Sequence, residues 1–225
     1  MNNKKGLPAG RQAVVLLSGG LDSAVTLSLA KAAGYECFCL VFDYGQRHRK
    51  EIAQAKKIAK AAKCQYQVLK INFPWKGSAL LDNSKVIRVS AQHGIGKIPN
   101  TYVPGRNIIF LSFALSFAEA IGASALYIGA HAQDYSGYPD CRPEFYRAFR
   151  KVILTGAKAG KNIEIKTPLI NKTKAQIIKV GNALGVNFKL TWSCYKGGEA
   201  PCGKCDSCYF RNKGFNDLGL IDPLL

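Results

Sequence analysis

The stretch VVLLSGGLDSAV, residues 14–25, joins two apolar segments through a short polar turn. The segment before the turn, residues 12–17, is predicted to be a buried strand, and residues 23–34 are predicted to form a helix that ends at glycine. The turn contains small and polar residues: Ser18, Gly19, Gly20, Asp22 and Ser23. Because glycine has no side chain, backbone N–H groups there can face an anion, and the start of the helix adds its positive end. This arrangement predicts a phosphate-binding loop.

The residues of the loop limit which kind of phosphate-binding motif it can be. It matches neither the dinucleotide pattern G-x-G-x-x-G nor the Walker pattern G-x-x-x-x-G-K-[ST]. The serine hydroxyls can donate hydrogen bonds to phosphate oxygens, whereas the acidic Asp22 would orient the loop or contact a metal bound to phosphate. A tight turn with a helix cap is the alternative, which a Gly-Gly pair alone would favour. The full order of strand, double glycine, Asp-Ser and helix favours phosphate binding.

Strand and helix patterns alternate along the rest of the chain. Further strands are predicted at residues 36–45, 65–71, 124–130 and 163–169, and further helices at residues 46–63, 107–122 and 173–185. This alternation predicts right-handed crossovers, and therefore a doubly wound α/β fold with a mainly parallel sheet. Ligands of such sheets bind beyond the carboxyl ends of the strands, where the strand order switches. We expect the phosphate loop to lie there.

Composition sets the class of protein. The chain has 225 residues, of which 48% are hydrophobic, as in a soluble globular protein with a sizeable core. A main α/β domain over residues 1–190 and a small C-terminal segment over residues 191–225 are expected. No apolar stretch approaches the roughly 20 residues that span a bilayer, and residues 1–12 lack the apolar core of a signal peptide. The expected location is the cytoplasm, with no membrane partner.

The chain is strongly basic. Lys and Arg number 32 against 14 for Asp and Glu, which gives a net charge of +18. Such a surplus is compatible with a nucleic-acid partner and with anionic small molecules. The positive residues are spread along the chain without a dominant basic tail. Charge alone therefore does not decide between these partners.

Four cysteines near the C-terminus follow the spacing C-x7-C-x2-C-x2-C: Cys194, Cys202, Cys205 and Cys208. Four thiolates at this spacing match tetrahedral Zn²⁺ coordination, and a complete set of protein ligands leaves no open position, so the zinc would be structural. An iron–sulfur cluster is the alternative, because C-x2-C-x2-C also occurs there, and disulfides do not suit a cytosolic chain. Cys37 and Cys39 show no such clustering and are predicted to be core residues.

Three loops are rich in polar residues and glycine: residues 43–48, 102–107 and 134–145. The second of them would place Arg106 where its guanidinium can reach a phosphate. Each loop taken singly is explained by ordinary turn chemistry. Three such loops at one edge of the predicted sheet indicate a functional site.

The motif SGGLDS resembles the pyrophosphate loop (PP-loop) of the N-type ATP pyrophosphatases, which cleave ATP between the α- and β-phosphates and transfer AMP to a substrate oxygen. This resemblance implies an adenine nucleotide alpha hydrolase-like fold with ATP as co-substrate. It identifies residues 1–190 as the ATP-binding domain and residues 191–225 as the zinc-binding segment. The implied phosphate-binding residues are Leu17, Ser18, Gly19, Gly20, Leu21, Asp22 and Ser23.

More specific strings are DYSGYPDCRPEF at residues 134–145 and TWSCY at residues 191–195. With them the chain resembles the 7-cyano-7-deazaguanine synthase family over residues 14–215. That family converts 7-carboxy-7-deazaguanine, ammonia and ATP to a nitrile on the pathway to queuosine and archaeosine. The resemblance implies a ligase that adenylates the acid and then the amide, with Mg²⁺ and cations offsetting the charge that develops on the phosphates.

The resemblance also implies roles for individual residues. Asp22, Ser23 and Lys174 are the expected catalytic residues, with Lys174 contacting a phosphate; an exposed helical lysine is the alternative for Lys174. ATP contacts are further expected from Arg106 and from the backbone near Val41 and Phe42. The deazaguanine and its carboxylate are expected to contact Asp134, Tyr135 and Arg142.

The expected partners are small molecules, with no obligatory nucleic acid, and a homodimer is compatible with the sequence. Free ammonia is the expected nitrogen donor, since no glutaminase domain is present. One alternative function is a PP-loop enzyme that thiolates tRNA, which would need a reactive cysteine near the loop. The other is an RNA-binding zinc module, which would leave SGGLDS without a role.

Overall fold

Five parallel strands form one sheet at the centre of the computed structural model, which describes residues 11–75, 77–82, 84–87, 98–131 and 137–225. The strands are β1 (Gln12–Leu16), β2 (Glu36–Asp43), β3 (Gln65–Lys70), β4 (Ala125–Tyr127) and β5 (Glu164–Lys166). Their spatial order is β3-β2-β1-β4-β5, with every neighbouring pair parallel. The order therefore switches between β1 and β4, which opens a crevice at their carboxyl ends.

Six α-helices occur in the described part of the chain. They are α1 (Leu21–Ala32), α2 (Lys50–Ala61), α3 (Arg106–Ile121), α4 (Pro143–Gly156), α5 (Lys174–Ala183) and α6 (Asp206–Asn216). None of them is long and apolar enough to cross a membrane.

Alternate residues of β1 pack against opposite faces of the sheet, as the two-residue period of a strand requires. Val14 and Leu16 belong to the apolar cluster that the sheet forms with α3 and α4. Ala13 and Val15 belong to the cluster that it forms with α1 and α2. Both faces of the sheet are covered by helices, so the predicted doubly wound α/β fold is confirmed.

A third apolar cluster attaches the C-terminal helices to α1. Its buried side chains are Leu21, Val25, Leu169, Ile177, Ile178, Phe188 and Phe215. Gly214 of α6 makes the approach possible, because a Cβ there would lie 2.6 Å from Cγ of Lys174 and 2.9 Å from Cδ1 of Ile178. This contact covers the aliphatic stem of Lys174.

Several elements differ in extent from the prediction. The strands expected at residues 124–130 and 163–169 are reduced to Ala125–Tyr127 and Glu164–Lys166. The helix expected from residue 46 begins at Lys50, because the Gln46 side chain instead bonds back to the backbone of β2 and the residues after it. Helix α4 was not predicted; its polar and apolar residues alternate with helical period, and Tyr146, Phe149 and Ile153 are its buried residues.

Candidate active site

The phosphate loop lies between β1 and α1 at the switch in strand order. Gly19 adopts φ +88°, and a Cβ there would lie 2.1 Å from the carbonyl oxygen of Glu51 in α2, so both the conformation and the packing require glycine. The Ser18 hydroxyl accepts a hydrogen bond from the Gly20 N–H at 3.2 Å and donates to the Ser23 hydroxyl at 3.1 Å. Ser23 in turn donates to the Gly20 carbonyl at 3.0 Å. The serines therefore hold the loop in shape.

The loop opens into a cavity of about 240 Å³ beyond the carboxyl ends of β1, β2 and β4. The predicted site residues that line it are Leu17, Ser18, Gly20, Asp22, Ser23, Phe42 and Arg106. The predicted residues Gly19, Leu21, Val41, Lys174 and Arg142 are not among its lining residues. Arg142 is exposed at the start of α4, and Asp134 and Tyr135 lie outside the described residues. The predicted roles of these residues stay predictions.

Lys174 reaches the phosphate loop from the first turn of α5. A capping box formed by Thr173 and Gln176 fixes the start of that helix. The Lys174 ammonium donates to both carboxylate oxygens of Asp22, at 2.7 and 2.8 Å, and lies 2.9 Å from Nε2 of His131. Lys174 is only 8% exposed, so it is not the exposed helical lysine that was its alternative.

The charge of Asp22 depends on this contact. Burial by itself would raise the pKa of Asp22, but the adjacent Lys174, followed by His131, holds that pKa below its ordinary value. Asp22 is therefore ionised and Lys174 is paired with it. The two side chains form a charge pair beside the loop, 152 residues apart in sequence.

A second cation and three aromatic side chains also line the cavity. Nη1 of Arg106, the first residue of α3, lies 3.2 Å from the Tyr44 hydroxyl. Burial raises the pKa of Tyr44 to about 12, so Tyr44 remains a neutral phenol beside the guanidinium. The Phe42 ring stacks on Phe110 with centroids 3.9 Å apart. The cavity therefore combines cations with a flat apolar surface.

Several cavity residues were missed by sequence reasoning. His48, Glu51, Trp192 and Tyr195 all line the cavity. His48 lies in a loop that had been recognised as polar, whereas Glu51 was assigned only to an amphipathic helix. No local sequence pattern predicted that the cysteine segment would lie close to the phosphate loop. The fold brings these side chains together.

The four C-terminal cysteines form one cluster, in which all four sulfur atoms lie within 4.8 Å of one another. The sulfurs of Cys202 and Cys208 are 4.0 Å apart, and all four cysteines are free of disulfides. Sulfurs about 2.3 Å from a tetrahedral zinc would be about 3.8 Å apart. The donor set therefore fits a single ion, whereas a cluster of several irons would need more widely separated sulfurs. Cys37 and Cys39 lie in the core, as predicted.

The segment that carries these cysteines is bonded to the phosphate loop. The Trp192 N–H donates to the Gly19 carbonyl at 2.8 Å. The Lys50 ammonium lies 3.9 Å from the centroid of the Trp192 ring and donates to the carbonyl of Glu199. Behind this contact, the buried Arg211 pairs with Asp222 through two hydrogen bonds of 2.6 and 3.0 Å. The C-terminal segment therefore supports the loop from outside the sheet.

A PP-loop at the switch point of a parallel sheet defines the class of protein, an α/β nucleotide-binding protein. The fold is similar to that of an NMN synthetase from Francisella tularensis, with a TM-score of 0.52 and 16% identity over 94% of this chain and 79% of that one. The family model described as queuosine biosynthesis protein QueC matches residues 12–219. The chain belongs to this family.

Full-length relatives agree with this assignment. The chain is 51% identical to a 7-cyano-7-deazaguanine synthase from Nostoc punctiforme, over 95% of this chain and 99% of the relative. It is 52% identical to a protein of the same name from Acetivibrio thermocellus, over 95% and 97% of the two chains. The family therefore confirms the resemblance seen in the sequence: the chain is a queuosine-pathway enzyme, and the tRNA-thiolating alternative is not favoured.

Proposed function

We propose that this chain converts 7-carboxy-7-deazaguanine, ammonia and ATP to 7-cyano-7-deazaguanine. The main structural observation is a phosphate loop that opens, beside the Asp22–Lys174 pair and Arg106, into a cavity with an aromatic wall. Backbone N–H groups and cations suit the phosphates of ATP, and an apolar flat surface suits a heteroaromatic ring. The names of the full-length relatives support this choice of substrate.

A carboxylate is a poor electrophile and must first be activated. In the proposed reaction, a carboxylate oxygen attacks the α-phosphorus of ATP, and pyrophosphate leaves into the loop formed by residues 18–23. Ammonia then displaces AMP and gives the amide. The amide oxygen attacks a second ATP, and loss of AMP together with two protons from nitrogen leaves the nitrile. Each nitrile therefore consumes two ATP and releases two AMP and two pyrophosphates.

The proposed role of the protein in these steps is to position the reactants and neutralise charge. Residues 17–23 would bind the pyrophosphate, with Ser23 as a hydroxyl donor. Lys174 and Arg106 would offset the negative charge of the phosphates, and Asp22 would orient Lys174. Mg²⁺, when bound to ATP, supplies further positive charge to the phosphates. The backbone near Val41 and Phe42 would contact adenine.

Substrate contacts are assigned to the loop after β4 and to the start of α4. We assign the binding of the deazaguanine and its carboxylate to Asp134, Tyr135 and Arg142, because a carboxylate suits the guanine-like edge and an arginine suits the substrate carboxylate. These assignments rest on the sequence motif, since Asp134 and Tyr135 lie outside the described residues.

The rest of the proposal concerns the whole chain. Zn²⁺ held by Cys194, Cys202, Cys205 and Cys208 would have a structural role, as four protein ligands complete its coordination. The two expected parts, residues 1–190 and 191–225, would then be an ATP-binding domain and a zinc-binding segment. The enzyme would work in the cytoplasm on small molecules, with no obligatory nucleic acid, and a homodimer remains part of the proposal.

Product analysis tests the reaction. With the acid, ammonium and ATP, mass spectrometry should detect the nitrile, with two AMP and two pyrophosphates for each nitrile formed. With the amide in place of the acid, the ATP demand should halve and the need for ammonia should disappear. ADP should not appear as a direct product, because attack occurs at the α-phosphorus. Formation of the amide alone, or one AMP for each nitrile, would contradict the proposal.

A further inference from the structure

The loop after β2 and the start of α2 place a histidine and a glutamate in the cavity wall. His48 is 3% exposed, and its Nε2 lies 3.2 Å from Oε1 of Glu51. Both side chains line the cavity, together with Ser18 and Ser23 of the phosphate loop. The pair therefore lines the same cavity as the groups proposed to bind the phosphates.

Hydrogen bonds from a buried glutamine fix this pair. Nε2 of Gln46 donates to Oε1 of Glu51 at 3.1 Å and to the Phe42 carbonyl at 3.0 Å, while its Oε1 accepts from the Tyr44 N–H at 2.8 Å. Glu51 therefore has a defined orientation. Because a carboxylate only accepts hydrogen bonds, this contact assigns the ring proton of neutral His48 to Nε2 and leaves a lone pair on Nδ1.

Nδ1 of His48 is buried and has no hydrogen-bond partner among the described residues. The other buried side-chain atoms in that state, within the same part of the chain, are Thr26 Oγ1 and Gln54 Oε1, and neither residue lines the cavity. Leaving a buried polar atom without a hydrogen bond lowers the stability of the fold, so an unpartnered atom in a native structure calls for an explanation. A hydrogen-bond donor supplied by a bound ligand would satisfy this lone pair.

The neighbouring titratable groups are less suited to accept a proton. Asp22 is paired with Lys174, and its pKa is held below the ordinary value. Tyr44, with a pKa of about 12, and Arg106 are both already protonated. The ring of Tyr195 packs against the His48 ring at a centroid distance of 5.7 Å and presents a phenol. Among these groups, the imidazole of His48 is the one with a ring nitrogen that is unpartnered in the described part of the chain.

We propose that Nδ1 of His48 is the base that removes protons from the substrate nitrogen, with Glu51 as its positioning residue. This inference rests on the proposed function. When ammonia attacks the acyl adenylate, the C–N bond forms, the C–O bond to AMP breaks with its electron pair leaving on AMP, and nitrogen gives one proton to Nδ1. In the second half, the adenylated amide loses two protons from nitrogen as AMP departs and the triple bond forms.

One base can serve both halves of the reaction. The nitrogen that enters as ammonia becomes the amide nitrogen and then the nitrile nitrogen, and it stays bonded to the same carbon throughout. A base placed beside it for the first proton is therefore also beside it for the later ones. His48 would release each proton to solvent before it accepts the next.

Separating adenylation from nitrogen chemistry tests this role. Exchange of labelled pyrophosphate into ATP, measured with the acid and without ammonia, reports adenylation alone. His48→Asn should keep this exchange near the wild-type rate, while conversion of the acid to amide and of the amide to nitrile should fall about 10²–10⁴-fold, the usual contribution of a general base. Added imidazole should restore part of the lost rate to His48→Ala.

Variants of two further residues show whether the effect is specific to the nitrogen steps. His131→Asn, which alters the contact with Lys174, should lower the pyrophosphate exchange, whereas Glu51→Gln should slow only the nitrogen steps. Zinc content and thermal unfolding show that each variant is folded; if His48→Asn is not, His48→Gln and Glu51→Gln give the same comparison. Equal losses of exchange and nitrile formation in the His48 and Glu51 variants, or unchanged nitrile formation, would overturn the inference. Absence of nitrile from the wild-type enzyme would instead overturn the proposed function.

Discussion

Lys174 carries a positive charge at a position that is 8% exposed. A buried ammonium is costly unless a partner compensates for its lost hydration, and both oxygens of Asp22 do so at 2.7 and 2.8 Å. The same contact keeps the pKa of Asp22 below its ordinary value, although its partial burial alone would raise that pKa. An ammonium ion is therefore held beside the phosphate loop before any nucleotide binds.

This charge is the basis of a prediction for Lys174. Lys174→Met keeps most of the buried stem and removes the ammonium. We expect release of pyrophosphate to fall by about 10²–10³-fold, the loss typical of removing one preorganised charge-stabilising donor. The fold should survive, because the Asp22 side chain is 26% exposed and can be hydrated once its partner is gone.

The matched control for this prediction is Lys179→Met on the same helix. Lys179 is exposed, so its replacement should leave pyrophosphate release unchanged. Near-normal turnover by Lys174→Met, with the zinc content and melting temperature of the wild type, would show that the Asp22–Lys174 pair has only a structural role.

The packing of α2 against the phosphate loop explains why the first of its two glycines, Gly19, is required. Helix α2 approaches the phosphate loop so closely that a Cβ on Gly19 would lie 2.1 Å from one backbone oxygen and 2.8 Å from the backbone nitrogen of Ala55. The loop is therefore held between β1 and α2 as well as by its own serines. Helix α2 fixes the position of the anion-binding N–H groups, which is the preorganisation that phosphate binding needs.

Gly19→Ala should therefore lower the unfolding free energy more than an alanine substitution at a glycine that needs only a positive φ. It forces a left-handed conformation, at about 1–2 kcal/mol, and in addition displaces α2. Gly122→Ala is the control, since Gly122 has φ +72° but nothing within 4 Å of its Cβ position. Urea unfolding should show a larger loss of unfolding free energy for Gly19→Ala. Equal losses for the two variants would show that α2 does not constrain the loop.

Elements with a clear apolar period were predictable from the sequence, and those without one were not. The unit of β1, loop and α1 could be identified because one short stretch carries the strand, the glycines and the helix. Helix α4 was missed because its first residues, 143–145, also end the polar loop that was predicted at residues 134–145. Strands β4 and β5 are shorter than predicted, and the apolar residues that follow them, Ile128, Ala130 and Leu169, are buried in apolar clusters outside the two strands.

At the scale of the molecule, the site is assembled from segments far apart in sequence. The cysteine spacing and the phosphate loop are local patterns, and both could be located from the sequence alone. The contact of Lys174 with Asp22 spans 152 residues, and no local pattern marks it. His48 and Glu51 were missed for the same reason: their role depends on which side chains the fold places around them.

The cysteine segment links metal binding to the phosphate loop across the molecule. Cys194 is two residues from Trp192, whose N–H donates to the Gly19 carbonyl at 2.8 Å, and the ring N–H of Trp192 donates to the Cys194 carbonyl at 3.0 Å. A metal that holds Cys194 would therefore also hold the backbone that supports the loop. Loss of the metal should affect both the stability of the chain and its affinity for nucleotide.

Cys205→Ser tests this link. Removing one of four thiolate ligands should reduce bound zinc from about one ion per chain to a small fraction, and lower the unfolding free energy, because structural zinc binding contributes directly to folding. Elemental analysis and urea unfolding measure these effects, and the dissociation constant for ATP should rise at the same time. Cys64→Ser, outside the cluster, should keep its zinc and its affinity for ATP. Iron with sulfide in the purified protein, or a metal-free Cys205→Ser chain of full stability and unchanged ATP affinity, would contradict the assignment of structural zinc.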